Sequence, residues 1–262
     1  MTSLAYEQRG TGDPVLFIAG HGGAGRTWHL HQVPAFVAAG YRAITFDNRG
    51  IGATENDAGF TTQTMVSDTA TLIEELGIAP CRVVAMSMGA FVAQELMLAR
   101  PELVHQAALL ATRGRHDRTR TLFHSAQHDL LSAGVTLPAS YDAKMRLLEG
   151  FSPKTLNNDR AVGEWIDMFM IWPTKITPGF RAQLDIAPRE SRLPAYRTVT
   201  TDTLVIGFAD DVVLPAYLGK EVADALPNGR YLQINDAGHL GILERPELVN
   251  AAILQFFADG RM

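Results

Sequence analysis

The chain has 262 residues, of which 47% are hydrophobic and 19% are charged, a balance typical of a folded globular protein rather than a disordered one. The formal net charge is −5, and no cluster of Lys and Arg supplies a local basic surface, so nucleic acid is not an expected partner. The length suits one α/β domain, or a core domain that carries a moderate insertion.

The cysteine content and the N-terminal sequence both bear on location. The single cysteine, Cys81, allows no intramolecular disulfide, which is compatible with a reducing compartment. The first 14 residues contain neither a basic leader nor an apolar stretch long enough for a signal peptide. No window reaches the roughly 18 apolar residues of a membrane-spanning helix. These features predict a cytoplasmic protein without membrane attachment.

Short apolar or β-branched runs alternate with longer segments of helical period along most of the chain. The runs predict six buried strands, at 15–19, 42–46, 82–86, 106–111, 204–207 and 231–234. The longer segments predict helices at about 28–39, 62–76, 88–99, 215–225 and 246–257. Strands that alternate with helices indicate an α/β fold with a mainly parallel central sheet and helices on both faces.

The region from about 112 to 203 interrupts this alternation. It has no strong strand run, but it contains helix-compatible stretches, frequent Pro and Gly, and a group of large apolar residues between Trp165 and Trp172. It is too long for a simple loop, so an inserted helical cap over the sheet is predicted for 113–202. The core domain is then formed by 1–112 and 203–262. The charged run at 113–120 (RGRHDRTR) is expected to be a solvated surface segment.

Ser87 lies at the junction of a predicted strand and a predicted helix, within residues 82–96 (RVVAMSMGAFVAQEL). A strand that passes directly into a helix makes a sharp turn, which exposes the serine at the carboxyl edge of the sheet. The residues two before and two after, Ala85 and Gly89, are small, as the crowded turn requires. The segment resembles the nucleophile elbow of the α/β-hydrolase family, G-x-S-x-G, with alanine in place of the first glycine. The resemblance implies the α/β-hydrolase fold and a nucleophilic Ser87.

The resemblance also implies a base and an acid, which follow in the order Ser, Asp or Glu, His. Only His239 among the histidines comes after the sixth predicted strand, in 235–247 (NDAGHLGILERPE), which is similar to the histidine loop of the family. Asp210 and Asp211 compete as the acid. In many relatives the acid precedes a proline by four positions, which favours Asp211. Its role would be to accept the His239 ring N–H and to stabilise the imidazolium.

A glycine-rich segment, 18–28 (IAGHGGAGRTW), follows the first predicted strand and resembles the oxyanion loop of the family. The resemblance implies that the backbone N–H groups of His21 and Met88 bind the oxyanion. The His21 imidazole could contact substrate or have a structural role, and both interpretations stay open.

Dinucleotide binding is disfavoured, because the glycines form no clean G-x-G-x-x-G. Asp47 and Arg49 resemble turn-holding residues of the D-x-R-G-x-G-x-S motif.

The remaining histidines give no metal-binding pattern. None has zinc-ligand spacing with a cysteine, and no H-E-x-x-H sequence occurs. His124 and His128 are four residues apart on a possible helix, for which a solvated face is the favoured interpretation. The sequence therefore predicts no metal and no cofactor.

The type of nucleophile restricts the chemistry. Epoxide hydrolases and dehalogenases of this family use aspartate at the elbow, so a serine implies an acyl-enzyme and hydrolysis of an ester, lactone or thioester. The expected partner is a small, apolar substrate; Trp165, Phe169 and Trp172 either line its pocket or form the interior of the cap. The alternatives are a non-hydrolytic tailoring enzyme, for cyclisation, rearrangement or lyase chemistry, and a ligand-binding sensor. The sequence does not predict the oligomeric state.

Overall fold

The computed structural model describes residues 4–54 and 59–260, so the ends of the predicted core domain lie outside the described residues. Within them, seven strands form one sheet in the order β1-β3-β2-β4-β5-β6-β7. Strand β1 is antiparallel to β3, and the other neighbours are parallel. The strands are β1 (Tyr6–Arg9), β2 (Pro14–Ile18), β3 (Arg42–Phe46), β4 (Cys81–Met86), β5 (Val104–Leu110), β6 (Asp202–Phe208) and β7 (Gly229–Ile234).

Twelve α-helices connect or follow these strands in the described part of the chain. They are α1 (Gln32–Ala38), α2 (Thr62–Glu75), α3 (Met88–Ala99), α4 (Arg118–Ser132), α5 (Ala139–Gly150), α6 (Pro153–Leu156), α7 (Asp159–Ile171), α8 (Pro178–Leu184), α9 (Leu193–Tyr196), α10 (Ala216–Ala225), α11 (Gly241–Glu244) and α12 (Pro246–Asp259). The predicted α/β fold with a mainly parallel sheet is confirmed. No helix in the described residues is both long and apolar enough to cross a membrane.

The central strands are buried on both faces of the sheet. In β2, Leu16 and Ile18 point into one apolar cluster, while Val15 and Phe17 point into the other. Helices α2, α3 and α10 cover the first cluster, and α1 and α12 cover the second. A strand that is covered on both sides has no polar face, which explains why these strands appear in the sequence as continuous apolar runs.

Two predicted elements differ from the structure. Strand β1 (YEQR) was not predicted, because it is an exposed edge strand and carries no apolar run. The helix predicted at about 28–39 is instead a short 3-10 turn, Gly25–His29, followed by α1. The apolar period continues through the break, so the sequence alone does not reveal it.

The stretch between β5 and β6 contains α4 to α9 and no strand, and every residue of it is described. The predicted helical character of this stretch is observed, and the division into a core domain and a cap at 113–202 stays a prediction. The prediction that 113–120 is a solvated segment was wrong. Arg120 is buried against the Phe123 ring, and Arg115 forms a bidentate ion pair with Glu221 of α10. Most of the charges in this segment are therefore paired or covered, whereas Arg118 is exposed as predicted.

Candidate active site

The carboxyl ends of the parallel strands meet at one edge of the sheet, and the loops that follow them form the candidate site. The glycine-rich loop follows β2, Ser87 follows β4, Asp211 lies beyond β6, and His239 lies beyond β7. Open α/β sheets place their ligand sites at this edge, because loops from several strands converge there.

Ser87 occupies the sharp turn between β4 and α3. Its backbone has φ 56° and ψ −120°, a conformation that is strained for a residue with a side chain. The turn is held on one side by the hydrogen bond from the Ser87 N–H to the Leu110 carbonyl, at 2.9 Å. The sharp turn places the Ser87 hydroxyl beyond the carboxyl end of the sheet, where a substrate can reach it.

The crowding around this turn explains the small residues near Ser87. A Cβ atom on Gly89 would lie 2.5 Å from the carbonyl oxygens of both Ile18 and Ala19. Ala85 is fully buried, between Ile18 of β2 and Leu109 of β5. A methyl group fits at position 85 but not at position 89. The departure from the family pattern at Ala85 is therefore compatible with the elbow.

His239 joins Ser87 to Asp211. Its Nε2 atom lies 3.0 Å from the Ser87 Oγ, and its Nδ1 atom lies 2.8 Å from the Asp211 Oδ2. A carboxylate only accepts hydrogen bonds, so the Nδ1–H donates to Asp211, and Nε2 is left to accept from the Ser87 hydroxyl. The arrangement has the geometry by which an imidazole removes the proton from a serine.

Asp211 is positioned by the backbone that follows it. Its side chain is fully buried, and its Oδ1 accepts hydrogen bonds from the N–H groups of Val213 and Leu214, at 2.8 and 2.7 Å. The other oxygen is directed at His239. Of the two competing aspartates, Asp211 is the one beside His239; Asp210 donates its backbone N–H to the Ala237 carbonyl. The three donors therefore fix the position and orientation of the Asp211 carboxylate.

The glycine-rich loop lies beside the nucleophile. A Cβ atom on Gly20 would be 3.2 Å from the Ser87 Cβ. The His21 ring stacks on Phe180 of α8 and donates its Nε2–H to the Phe180 carbonyl, at 2.9 Å. Burial lowers the pKa of His21, although this hydrogen bond opposes the change. Of the two interpretations left open for this imidazole, the contacts favour the structural one.

Two backbone N–H groups are available near Ser87. Met88 is the first residue of α3, where an N–H has no partner within the helix. Within the described residues, the His21 N–H has no hydrogen-bond acceptor. The N–H of the next residue, Gly22, is already held by the Gln183 Oε1 atom, at 2.9 Å. The donors expected at His21 and Met88 are therefore unoccupied in the fold.

Asp47 and Arg49 have the turn-holding contacts that the sequence predicts. Asp47 accepts hydrogen bonds from the N–H groups of Gly25 and Ala53, at 2.8 and 2.9 Å. Arg49 forms a bidentate ion pair with Asp68 of α2, at 2.5 and 2.6 Å. Asp47 therefore fixes the loop that follows β3 against the glycine-rich loop, and Arg49 fixes it against α2.

The three aromatic residues proposed as substrate-lining have different environments. Phe169 is buried in a small cluster with Phe151 and Ala143, and Arg146 lies over its ring at 3.7 Å. Trp165 is partly buried against the same cluster, with its ring 5.0 Å from the Phe151 ring. Trp172 is 62% exposed after the end of α7. The contacts of Phe169 fit the alternative interpretation, in which it forms part of the interior of the helical segment.

Sequence reasoning missed Gln183, Phe180 and Arg113. Gln183 and Phe180 hold the glycine-rich loop from about 160 positions away in the chain, and no local motif marks them. Arg113 interacts with the charge of Asp211: burial and, to a smaller extent, Arg120 lower the pKa of Arg113 to about 10, against the opposing effects of Asp211 and Asp117. The charged run around Arg113 was the only local signal, and it was assigned to the surface.

Comparisons with known proteins agree with this geometry. The model of the Alpha/beta hydrolase family matches residues 15–252. A relative from Mycobacterium tuberculosis (strain ATCC 25618 / H37Rv), named "Putative non-heme bromoperoxidase BpoC", is 70% identical over 259 residues, which are 99% of each chain. The crystal structure of BpoC from Mycobacterium tuberculosis H37Rv matches with a TM-score of 0.97, over 99% of this chain and 97% of that one.

More distant relatives carry hydrolase names. A protein of Azorhizobium caulinodans named "Putative carbamate hydrolase RutD" is 28% identical over 261 residues, which are 98% of this chain and 95% of the relative. The structure of a thermophilic esterase from Thermogutta terrifontis is 25% identical and has a TM-score of 0.82, over 98% of this chain and 93% of that one. The chain described here belongs to the alpha/beta hydrolase family.

Proposed function

We propose that this protein is a serine hydrolase that cleaves a carboxylic ester, lactone or thioester through an acyl-enzyme. The observation that carries the proposal is the continuous hydrogen-bond chain from Ser87 through His239 to the buried Asp211, with lengths of 3.0 and 2.8 Å. A serine hydroxyl is a weak nucleophile unless an adjacent base removes its proton, and this chain supplies that base.

The reaction follows from the positions of the three side chains. Ser87 Oγ attacks the carbonyl carbon while its proton moves to the His239 Nε2, and Asp211 stabilises the imidazolium. His239 then protonates the leaving group, which departs as the acyl-enzyme forms. Water, deprotonated by His239, attacks the acyl carbon and releases the acid and free Ser87. The Val213 and Leu214 N–H groups hold Asp211 in position throughout.

The oxyanion of the tetrahedral intermediate is assigned to the backbone N–H groups of His21 and Met88. Met88 directly follows Ser87, and Gly20, the residue before His21, lies beside the Ser87 side chain. Neither N–H takes part in the contacts described above. Loss of one such donor typically lowers turnover by about 100- to 1000-fold. The contacts that fix the glycine-rich loop are therefore part of the catalytic apparatus.

The substrate is proposed to be a small, apolar molecule. The aromatic cluster around Phe151 and Trp165 also contacts Leu240, the residue after the proposed base. This contact supports Trp165 as a group that borders the substrate pocket, whereas Phe169 supports Trp165 from the interior of the cluster.

We place the protein in the cytoplasm, as the sequence predicts.

A second candidate activity comes from the name of the relative that is 70% identical. Attack of hydrogen peroxide, instead of water, on the acyl-enzyme would release a peroxy acid and free Ser87. The peroxy acid would then transfer one oxygen atom to bromide, which gives hypobromous acid and the carboxylate. In this route Ser87 is acylated by a carboxylic acid with release of water, and hydrogen peroxide replaces water as the second acceptor.

The test is a hydrolysis panel of aryl esters, aliphatic lactones and acyl thioesters, run on the wild type, on Ser87→Ala and on Ser125→Ala. Ser125 is an exposed serine of α4 and is the matched control. Hydrolysis by the wild type and by Ser125→Ala, with loss in Ser87→Ala, supports the proposal. Activity that survives in Ser87→Ala would favour a tailoring enzyme. Binding without turnover of any substrate would favour a ligand sensor.

The same proteins distinguish the second candidate. Bromination of a dye is measured with acetate, bromide and hydrogen peroxide present, and again with acetate omitted. Peroxy acid chemistry requires the carboxylic acid and Ser87, so activity is expected only in the complete mixture with Ser87 intact. Bromination that needs no acid would rule out the acyl-enzyme route.

A further inference from the structure

We propose that His124, His128 and Asp185 form a binding site for a divalent transition metal ion of the Zn²⁺ type. One ligand atom from each of the three side chains lies within 4.8 Å of the others. None of the three belongs to the hydrogen-bond chain at Ser87. The site is therefore separate from the proposed catalytic residues, and its test does not require hydrolase activity.

The two histidines are presented by one helix. His124 and His128 lie one turn apart on α4, and their ring centroids are 4.6 Å apart. Residues at i and i+4 share a helix face, which is the spacing by which helical histidine pairs bind zinc. The pair alone offers two ligands, which is why its spacing in the sequence does not predict a metal site.

The fold supplies the third ligand from another helix. Asp185 is the C-terminal cap of α8, and its Oδ1 lies 3.0 Å from the His128 Nε2. The His124 ring is fixed beside it, because its Nε2–H donates to the carbonyl of Leu184 at 3.2 Å. Zinc–ligand bonds of about 2.0–2.1 Å in a tetrahedron place ligand atoms about 3.3 Å apart. Small side-chain rotations suffice to reach this separation.

The ligand set indicates which class of ion would bind. Two imidazoles and one carboxylate suit Zn²⁺, Co²⁺ or Ni²⁺, whereas Mg²⁺ and Ca²⁺ prefer six or more oxygen ligands. The fourth position would be taken by water, since the His128 and Asp185 side chains are 39% and 53% exposed. They also line an open surface cavity of about 340 Å³, through which an ion can enter.

The position of the site suggests what a bound ion would do. It would tie α4 to the end of α8, and α8 carries the Phe180 and Gln183 contacts to the glycine-rich loop. An ion that binds the folded state alone stabilises it by mass action. At about a hundredfold excess over Kd, we expect Tm to rise by about 5 °C for a chain of this size.

The test uses the full-length, tag-free protein after treatment with a chelator that is then removed. Zn²⁺ is titrated by calorimetry, and Co²⁺ is titrated by visible absorption, which reports a tetrahedral ligand field. The variants are His128→Gln and Asp185→Asn, and His31→Gln is the control for loss of a histidine outside the cluster. Circular dichroism and the metal-free Tm establish that each variant is folded.

We expect the wild type and His31→Gln to bind one equivalent of either ion, with Kd in the micromolar range or below. Each cluster variant should weaken binding by at least tenfold, because one of three ligands is lost. The proposal is overturned if the folded wild type binds no Zn²⁺ or Co²⁺. It is equally overturned if both cluster variants bind as tightly as the wild type, since the ion would then lie elsewhere.

Discussion

The side chain of Gln183 accepts a hydrogen bond of 2.9 Å from the backbone N–H of Gly22. Its amide nitrogen donates to the Arg49 carbonyl at 3.1 Å, and the side chain is almost fully buried. One residue of α8 thus links the loop after β2 to the loop after β3. The helical segment between β5 and β6 therefore takes part in building the site and does not merely cover it.

Replacement of Gln183 by Leu should impair catalysis more than binding. The change leaves the Gly22 N–H and the Arg49 carbonyl without partners, so the neighbouring His21 N–H loses its fixed position. We expect kcat for ester hydrolysis to fall by about tenfold or more, with a smaller change in KM. Steady-state kinetics provide the measurement, with Gln255→Leu on the exposed face of α12 as the control. Equal changes of kcat in Gln183→Leu and Gln255→Leu would contradict the role of Gln183 in positioning the His21 N–H.

The two neighbouring aspartates should behave differently on amidation. Asp211→Asn removes the negative charge that orients His239, and such a change in a serine hydrolase triad lowers kcat by about 10,000-fold. Asp210→Asn should leave kcat within about threefold of the wild type. The contact of Asp210 with the Ala237 carbonyl is made by its backbone N–H, which the substitution keeps. The comparison requires the same ester substrate and equal Tm values. A large loss in Asp210→Asn alone would show that the acid is misassigned.

Gly89→Ala should destabilise the elbow. The added methyl group would lie 2.5 Å from two carbonyl oxygens at the end of β2, so the strand and α3 must move apart. Overpacking of this kind typically costs about 1–3 kcal/mol, which corresponds to a fall in Tm of about 2–5 °C for a chain of this size. Differential scanning calorimetry measures it, and Ala99→Gly at the exposed end of α3 is a comparison for helix propensity without core packing. An unchanged Tm would contradict the close approach.

Stability should decrease as the pH falls from about 6.5 towards 4. Burial lowers the pKa of His116 to about 4, with smaller effects of Arg113 and His124 in the same direction. The unfolded chain therefore binds a proton in this range that the folded chain excludes, so the free energy of unfolding falls with pH. We expect the Tm of His116→Gln to depend less steeply on pH than that of the wild type or of His31→Gln. Identical slopes would contradict the burial of this imidazole.

The features that the sequence predicts are local. The central strands are recognisable because burial on both faces makes them continuous apolar runs, as in β4. Ser87 and His239 are recognisable because a strand–serine–helix turn and a histidine loop each occupy a few consecutive residues. Their separation in the folded chain, 3.0 Å between Oγ and Nε2, follows from the order of the parallel strands.

The features that the sequence does not predict depend on contacts between distant residues. Gln183 reaches Gly22 across 161 positions, and Asp185 reaches His128 across 57. The run at 113–120 has the composition of a surface segment, but its Arg115 pairs with Glu221 of α10, more than a hundred positions away. The strand β1 is polar and exposed, so it lacks the pattern that identifies the other strands. Pairing and burial of this kind are properties of the fold and not of a sequence window.

The most direct test of the proposed function is the intact mass of the protein after treatment with a fluorophosphonate. Such a reagent forms a covalent bond with an activated serine Oγ and releases fluoride, so it requires the proposed nucleophile and base but no knowledge of the substrate. The account predicts rapid addition of one adduct to the wild type and to Ser125→Ala, and none to Ser87→Ala or His239→Ala. A folded wild type that stays unlabelled, or a Ser87→Ala variant that is labelled at the same rate, would contradict it.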